Sequence, residues 1–522
     1  MAYTSYDVEK NQGYVQSGGS DSSNPYNGEN EKRHAPSQEA DGAVPGEAFV
    51  IGDSWRAKLL RKATTFGVEA RGIERVPEDE RTDSGFRGLL NVATMWFSAN
   101  MVISSFALGI LAQSLFYIGV ADAMLVILFF NIIGLMPVCY FSTFGPTFGL
   151  RQMVLSRFWF GWWGVKSSVN SIAAAQLIHA VNTDVPGFVG VLIVAFCTLL
   201  ITLFGYKIVH AYEFWSWVPA LIVFIIILGT FAHSGDFRDI AWGTGTSEMG
   251  GVLSFGSVIF GFAIGWASYA ADYTVYQPST QPRYKVFGWT FLGLILPLLF
   301  TQMLGVAVMS ATTINGGDNI YMDGYLASGN GGLLGAVLFP PLGTFGKFCL
   351  VILALTTIAN NCPNIYSVSL TVQVFARWIQ AVPRFLWVIV ATGCYIAIAI
   401  PGYSHFETVL GNFMNFIGYW LAIYSSIGLT DHFVFKRGFS GYRPELYDVP
   451  EQLPPGIAAV FAFCCGVAGM VCGMSQTWFV GPIALHAGDA PYGGDVGWQL
   501  GAAFACVGYL ISRPLELKFF GR

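Results

Sequence analysis

Charge is scarce in this chain. Its 522 residues include 27 Lys and Arg and 32 Asp and Glu, 11% in all, against about 25% in soluble domains. With 54% hydrophobic residues and a mean hydropathy of +0.53, that shortage excludes a water-soluble globular domain and leaves a polytopic membrane protein. No run of Lys and Arg forms a nucleic-acid patch, so no nucleic-acid partner is expected. The nine cysteines fall in or beside apolar runs, without the spacing of a metal site or a disulfide framework. HExxH, GxSxG and Walker signatures are missing as well. An enzyme, a metal centre and a bound cofactor are therefore not expected. Nor is a cleavable signal peptide, because the first segment is long and polar.

What the chain has in quantity is aromatic and small residues: 43 Phe, 61 Gly and 16% aromatics overall. That mixture suits bulky lipid-facing surfaces combined with close helix packing. Residues 1–85 read as a disordered cytoplasmic tail, whose Lys10 and Lys32 are either simply solvated, the commoner case, or contacts for trafficking machinery. Residues 86–515 read as the transmembrane domain and 516–522 as a short cytoplasmic tail. Within the domain, apolar runs of spanning length fall near 88–112, 117–141, 160–182, 186–205, 208–232, 251–272, 287–311, 334–361, 385–401, 406–430, 456–475 and 494–513. The expected fold is all-α, with about twelve membrane-crossing helices. Segment 365–381, apolar but carrying Gln373, Arg377 and Gln380, reads as a short interfacial helix. Basic residues alternate by loop: Arg81 and Arg87, Arg151 and Arg157, Lys207, Arg283 and Lys285, Arg377 and Arg384, Lys436 and Arg437, then Arg513 and Lys518 share one side. The positive-inside rule places that side, and both termini, in the cytoplasm.

Polar residues at membrane depth carry the functional signal. The densest cluster is Asn360-Asn361-Cys362-Pro363-Asn364, sunk in the eighth apolar run. Its amides need partners, and Pro363 removes a backbone donor while crowding the carbonyl four residues before it. Interhelical amide bonding with a proline ending the span is the structural alternative to a ligand site. The first run is interrupted by Ser98, Asn100, Ser104 and Ser105; the sixth by Ser254, Ser257, Gly261, Gly265 and Ser268. Interrupted helices in corresponding positions are a sign of inverted repeats around a midplane site, and equally of a small-residue packing face. The third run carries Trp162, Trp163, Lys166, Ser168 and Asn170, with Lys166 and Asn170 on one helical face. Flat aromatic and amide groups of this kind suit a planar heteroaromatic ligand, although the tryptophans also fit an interfacial belt. Glu213, early in the fifth run, is either a buried proton-carrying acid or an interfacial partner of Lys207 or His210. Thr356 and Thr357 offer hydroxyls to a cation or bond back along their own helix. Asp272 reads as a cap or bridge.

The Asn360-Asn361-x-Pro363-Asn364 motif, Gly161-Trp162-Trp163-Gly164-Val165 and Ala271-Asp272-Tyr273-Thr274 resemble the nucleobase–cation symporter-1 family, in its fungal purine–cytosine permease branch. The resemblance covers about residues 85–515. It implies a five-plus-five inverted-repeat transporter fold with two added C-terminal helices, alternating access, and proton-driven import of cytosine and purine bases (adenine, guanine, hypoxanthine) at the plasma membrane. Carried over by motif, it implies a substrate site of Ser98, Asn100, Ser168, Asn170, Phe262, Ala263, Asn360, Asn361, Pro363 and Asn364. Glu213, with Lys166 nearby, is implied as the proton-coupling pair. The two stacking tryptophans of sodium-coupled bacterial members are replaced here by Ser168 and Ala263, leaving Phe262 or Trp266 to offer an aromatic face. Carriers of allantoin, uracil, a vitamin or an amino acid on the same fold, a channel and a non-transporting sensor are the alternatives.

Overall fold

The computed structural model describes residues 62, 65, 68, 69, 71–162, 165, 187–402 and 406–522. Its long helices are α1 (Gly85–Asn100), α2 (Ile103–Ser114), α3 (Val120–Ser142), α4 (Gly187–Phe204), α5 (Tyr206–Ser234), α6 (Gly245–Ile264), α7 (Arg283–Ser310), α8 (Ile320–Leu342), α9 (Thr344–Gln373), α10 (Arg384–Gly402), α11 (Phe406–Thr430), α12 (Ile457–Gly473) and α13 (Gly497–Phe520). Among the described residues, the one sheet is a hairpin that pairs Ser475 with Val480. Among the described residues, six helical stretches are long and apolar enough to cross a membrane, and a seventh if α1 and α2, bent by 50°, form one span. Their outward faces are apolar: Phe129, Ile133 and Met136 on α3 and Ile222 and Ile225 on α5 are exposed, while Val223, Phe224 and Ile227 are buried. Such surfaces match lipid and not water.

Both ends of the domain differ from the sequence expectation. The polar tail does not extend to residue 85, because the stretch from Arg71 is packed. Ile73 and Val76 are fully buried. Arg75 donates to the Phe148 carbonyl at 2.8 Å, and Arg81 to those of Pro146 and Val76 at 2.8 and 3.0 Å. Arginines that looked like solvated tail residues instead satisfy carbonyls beyond α3. At the other end α13 continues through 516–522 as far as Phe520. Glu516 accepts from the Gly456, Ile457 and Ala458 amides at the start of α12, where free N–H groups favour an anion. Lys10 and Lys32 lie outside the described residues.

The eighth apolar run is also cut differently. Residues 334–342 finish α8, and the chain turns at Gly343, whose φ of +54° suits glycine. The next helix, α9, starts at Thr344 and passes unbroken through Pro363 to Gln373. The proline therefore stands mid-helix, and the interfacial helix shrinks to Arg377–Gln380.

Glycines bring α7 against both halves of the first span. A Cβ on Gly293 would lie 2.4 Å from the Ala93 carbonyl oxygen, and one on Gly305 would lie 2.2 Å from that of Phe106. Nothing lies within 4 Å of a Cβ on Gly288, in the same helix. Gly305→Ala is expected to cost about 1–3 kcal/mol, because two backbones must separate. Gly288→Ala should gain up to about 1 kcal/mol from helix propensity. Thermal unfolding of the two variants in detergent checks this: equal transition temperatures would remove the close-approach account.

Candidate substrate and coupling site

Two helix breaks and one continuous helix build the site. The first break separates α1 from α2 at Met101 and Val102, whose backbone is non-helical (φ −84°, ψ 60° and φ −134°, ψ 158°). Asn100 promotes it by turning its side-chain amide back to the Trp96 carbonyl at 2.8 Å, competing with the backbone. A break at membrane depth leaves peptide groups that need partners. α9 supplies them on both sides: Asn360 Nδ2 donates to the Ala99 carbonyl at 2.9 Å, and Thr356 Oγ1 accepts the Ile103 N–H at 3.2 Å. Thr356 thus acts on the peptide backbone of the break.

The second break follows α6. Residues Gly265–Tyr273 tighten into a 3-10 segment, and Tyr269 departs from helical geometry at φ −147°. Its hydroxyl donates to Asn364 Oδ1, while Tyr273 Oη donates to the Pro363 carbonyl at 2.8 Å. Asn364 Nδ2 is spent on the Asn360 carbonyl at 2.8 Å. Asn360 and Asn364, four residues apart on one face of α9, therefore each hold one broken span. Asn361 points elsewhere. Its amide oxygen and nitrogen are buried without a hydrogen bond among the described residues, beside the Tyr395 hydroxyl of α10.

Glu213 on α5 is fully buried. Ser98 of α1 presents its hydroxyl to it and also bonds Ser216 one turn on along α5. The carboxyl oxygens lack a well-formed hydrogen bond among the described residues, and so do both His210 ring nitrogens. The interfacial reading of Glu213, paired with Lys207 or His210, therefore fails. Cys362 of α9 lies within electrostatic reach of the carboxyl group.

The aromatic residues have separate positions. Phe262 meets Trp266 edge-on at 6.3 Å, and Trp266 also meets Trp96 at 5.4 Å and Tyr269 at 5.8 Å. Ala263 faces α3, where a Cβ on Gly134 would come within 2.7 Å of its own. Asp272 is a cap, as expected, with Oδ1 accepting the Gln152 N–H at 2.8 Å. Ser98, Asn100, Phe262, Ala263, Asn360, Asn361, Pro363, Asn364 and Glu213 are all buried around these breaks. Lys166, Ser168 and Asn170 lie outside the described residues. Sequence reasoning missed Tyr269, Tyr273 and Tyr395, although the tyrosine spacing after Trp266 is a visible signal. No group of three or more His, Cys, Asp or Glu among the described residues is arranged to hold a metal ion.

A buried polar cluster between two broken spans and an intact helix is the arrangement of a membrane transporter of the broken-helix class. Residues 75–481 match the family described as permeases for cytosine/purines, uracil, thiamine and allantoin. Purine-cytosine permease fcyB of Emericella nidulans is 60% identical over 99% of both chains. Purine-cytosine permease FCY2 of Saccharomyces cerevisiae is 43% identical over 95% of both. Vitamin B6 transporter TPN1, also from Saccharomyces cerevisiae, is 32% identical over 89% of this chain and 90% of its own. MHP1, a nucleobase-cation-symport-1 family transporter solved in a closed conformation, shares the fold with a TM-score of 0.63 at 15% identity, over 86% of this chain and 96% of its own. The chain belongs to this permease family, in its purine–cytosine branch, and is a carrier and not an enzyme.

Proposed function

We propose that this chain is a plasma-membrane symporter that couples proton entry to import of cytosine and purine bases, with both termini in the cytoplasm. The full-length likeness to purine-cytosine permeases supports the cargo. The observation that carries the reading is Asn361: among the described residues its buried amide makes no well-formed hydrogen bond, with only the Tyr395 hydroxyl beside it, and a donor next to an acceptor matches the alternating edge of a nucleobase. Ser98, Asn100, Asn360, Pro363 and Asn364 shape and hold the breaks around it, and Phe262 with Trp266 offers an apolar wall. Ser168 and Asn170 belong to the same proposed site, and Lys166 to the coupling pair with Glu213.

Neutral bases gain nothing from membrane voltage, so a co-transported charge must supply the driving force, about 2.3 kcal/mol per 100 mV. Glu213 is the acid in position to carry it. The test is uptake of labelled cytosine in cells lacking their own nucleobase carrier, at two external pH values, with and without sodium. Accumulation that rises in acid and ignores sodium is expected. Absence of cytosine uptake would remove the cargo, and sodium dependence would remove the proton. A second reading, a vitamin-type cargo on the same site, draws on the likeness to TPN1. Competition separates the two, since a vitamin carrier would ignore excess cytosine and adenine.

A further inference from the structure

One acidic side chain outside the proposed site joins elements far apart in the chain. Glu69 comes from the segment before α1, and its side chain is only 14% exposed. Its own N–H donates to the Phe204 carbonyl at the end of α4, at 3.2 Å. Oε2 accepts the Tyr206 N–H at the start of α5 at 2.9 Å, and the Tyr366 hydroxyl of α9 at 3.1 Å. Oε1 accepts the Tyr276 hydroxyl, beyond the sixth-span break, at 3.1 Å. Two buried guanidiniums flank the carboxylate: Arg151 Nη2, from the connection after α3, at 3.6 Å, and Arg384 Nη2, from the first residue of α10, at 3.7 Å. The fit is tight enough that a Cβ on Gly205 would fall 2.2 Å from Oε2.

Among the described residues neither arginine has a second carboxylate within ion-pair distance, and the Asp272 carboxyl group acts on Arg151 from further off. Arg151 donates Nη1 to the backbone carbonyl of Asp272, whose Oδ1 is already taken by Gln152 N–H. Arg384 donates Nη1 to the Thr202 carbonyl at 3.2 Å. Both guanidiniums also lie over the Tyr366 ring, at 5.6 and 4.9 Å. Two cations this deeply buried repel one another and draw water when their shared anion leaves. α9 itself links this cluster to the amides: Tyr366, two residues beyond Asn364 on α9, packs on Tyr273 at 6.0 Å, and Tyr273 bonds the Pro363 carbonyl.

We propose that Glu69 is the latch of the cytoplasmic gate: seated between Arg151 and Arg384, it locks the path from the site to the side of the packed Arg71–Ser84 stretch (the strap side), and inward opening requires its withdrawal. This rests on the alternating-access reading above. A carboxylate bridging the α4–α5 turn, the sixth span, α9 and α10 ties together elements that must part for substrate to leave. Glu69 precedes α1 in the chain and belongs to none of the long helices, so its withdrawal need not unfold any of them.

Cys362, fully buried beside Asn361, is a built-in reporter. The test is modification of Cys362 in the full chain by a membrane-impermeant thiol reagent, in sealed vesicles of each orientation, read by mass spectrometry of the Cys362 peptide. Glu69→Ala is expected to speed modification from the strap side by about tenfold and not from the opposite side, with Glu69→Gln in between. An unchanged rate in Glu69→Ala, present in the membrane at the normal amount, would overturn the latch. If that variant does not reach the membrane, Tyr366→Phe removes one donor and keeps the ring; it should give about a threefold rise, and no rise is again decisive against the proposal. The readout needs neither cargo nor protons. Failed cytosine uptake with altered labelling would sink the cargo reading alone, and normal uptake with unaltered labelling would sink the latch alone.

Discussion

Asn361→Ala is expected to abolish cytosine uptake at micromolar substrate while leaving the folded protein intact. The three amides of α9 do not share one task. Asn360 gives its Nδ2 to the α1 break and Asn364 uses both amide atoms, on the Asn360 carbonyl and on Tyr269. Of the three, only Asn361 has neither amide atom in a well-formed hydrogen bond among the described residues, although the Tyr395 hydroxyl lies beside it. Two hydrogen bonds to a base in a sealed site are worth about 3 kcal/mol, or about a hundredfold in apparent affinity. Losing an unsatisfied buried amide does not destabilise the empty carrier, so its thermal unfolding in detergent should be unchanged or slightly raised. Asn360→Ala should behave oppositely: it frees the Ala99 carbonyl at the break, and the penalty, about 1–3 kcal/mol, falls on stability. Initial rates of uptake and unfolding temperatures for the two variants decide the matter. Wild-type affinity in Asn361→Ala would remove Asn361 from the site.

The same division shows what the sequence can and cannot tell. The amide cluster was legible because polar residues in a lipid-soluble run have no cheap explanation, and the breaks of the first and sixth spans were legible through Asn100 and the small residues around Gly265. Which amide binds and which stitches was not, since Asn360 and Asn361 are adjacent in the chain and differ only by about 100° around the helix. The end of the eighth span was misplaced for a related reason. Pro363 reads as a terminator, but a proline inside a bundle survives mid-helix when neighbours satisfy the group it frees. The packed strap from Arg71 to Ser84 was hidden by composition, because arginines that bond buried carbonyls look like arginines in water. Glu69 was hidden in the same way: its partners lie far along the chain, at Arg151, Tyr276, Tyr366 and Arg384, and no local pattern announces them.

Glu213→Gln is expected to uncouple the carrier and not to silence it. In the sealed structure the carboxyl group has Ser98 beside it but no well-formed hydrogen bond, and none of the ion pairs among the described residues includes it. A bare carboxylate at membrane depth costs several kcal/mol, which is why an intramembrane acid is a candidate for carrying a proton. Since Ser98 belongs to the first span close to its break, a charge change at Glu213 is felt by the element that must move. Glutamine keeps the size and the hydrogen-bonding edge of the protonated acid but carries no proton across. Cytosine counterflow, which needs no net proton movement, should therefore persist within about threefold of wild type, a change worth less than about 1 kcal/mol. Concentrative uptake should not persist. One proton moved down 100 mV supports about fiftyfold accumulation in the wild type, and the variant should level off near equality at every external pH. Ser98→Ala, which removes the neighbouring hydroxyl and keeps the acid, should still accumulate cytosine. Acid-stimulated accumulation surviving in Glu213→Gln would move the proton to another group and leave Glu213 as a packing residue of α5.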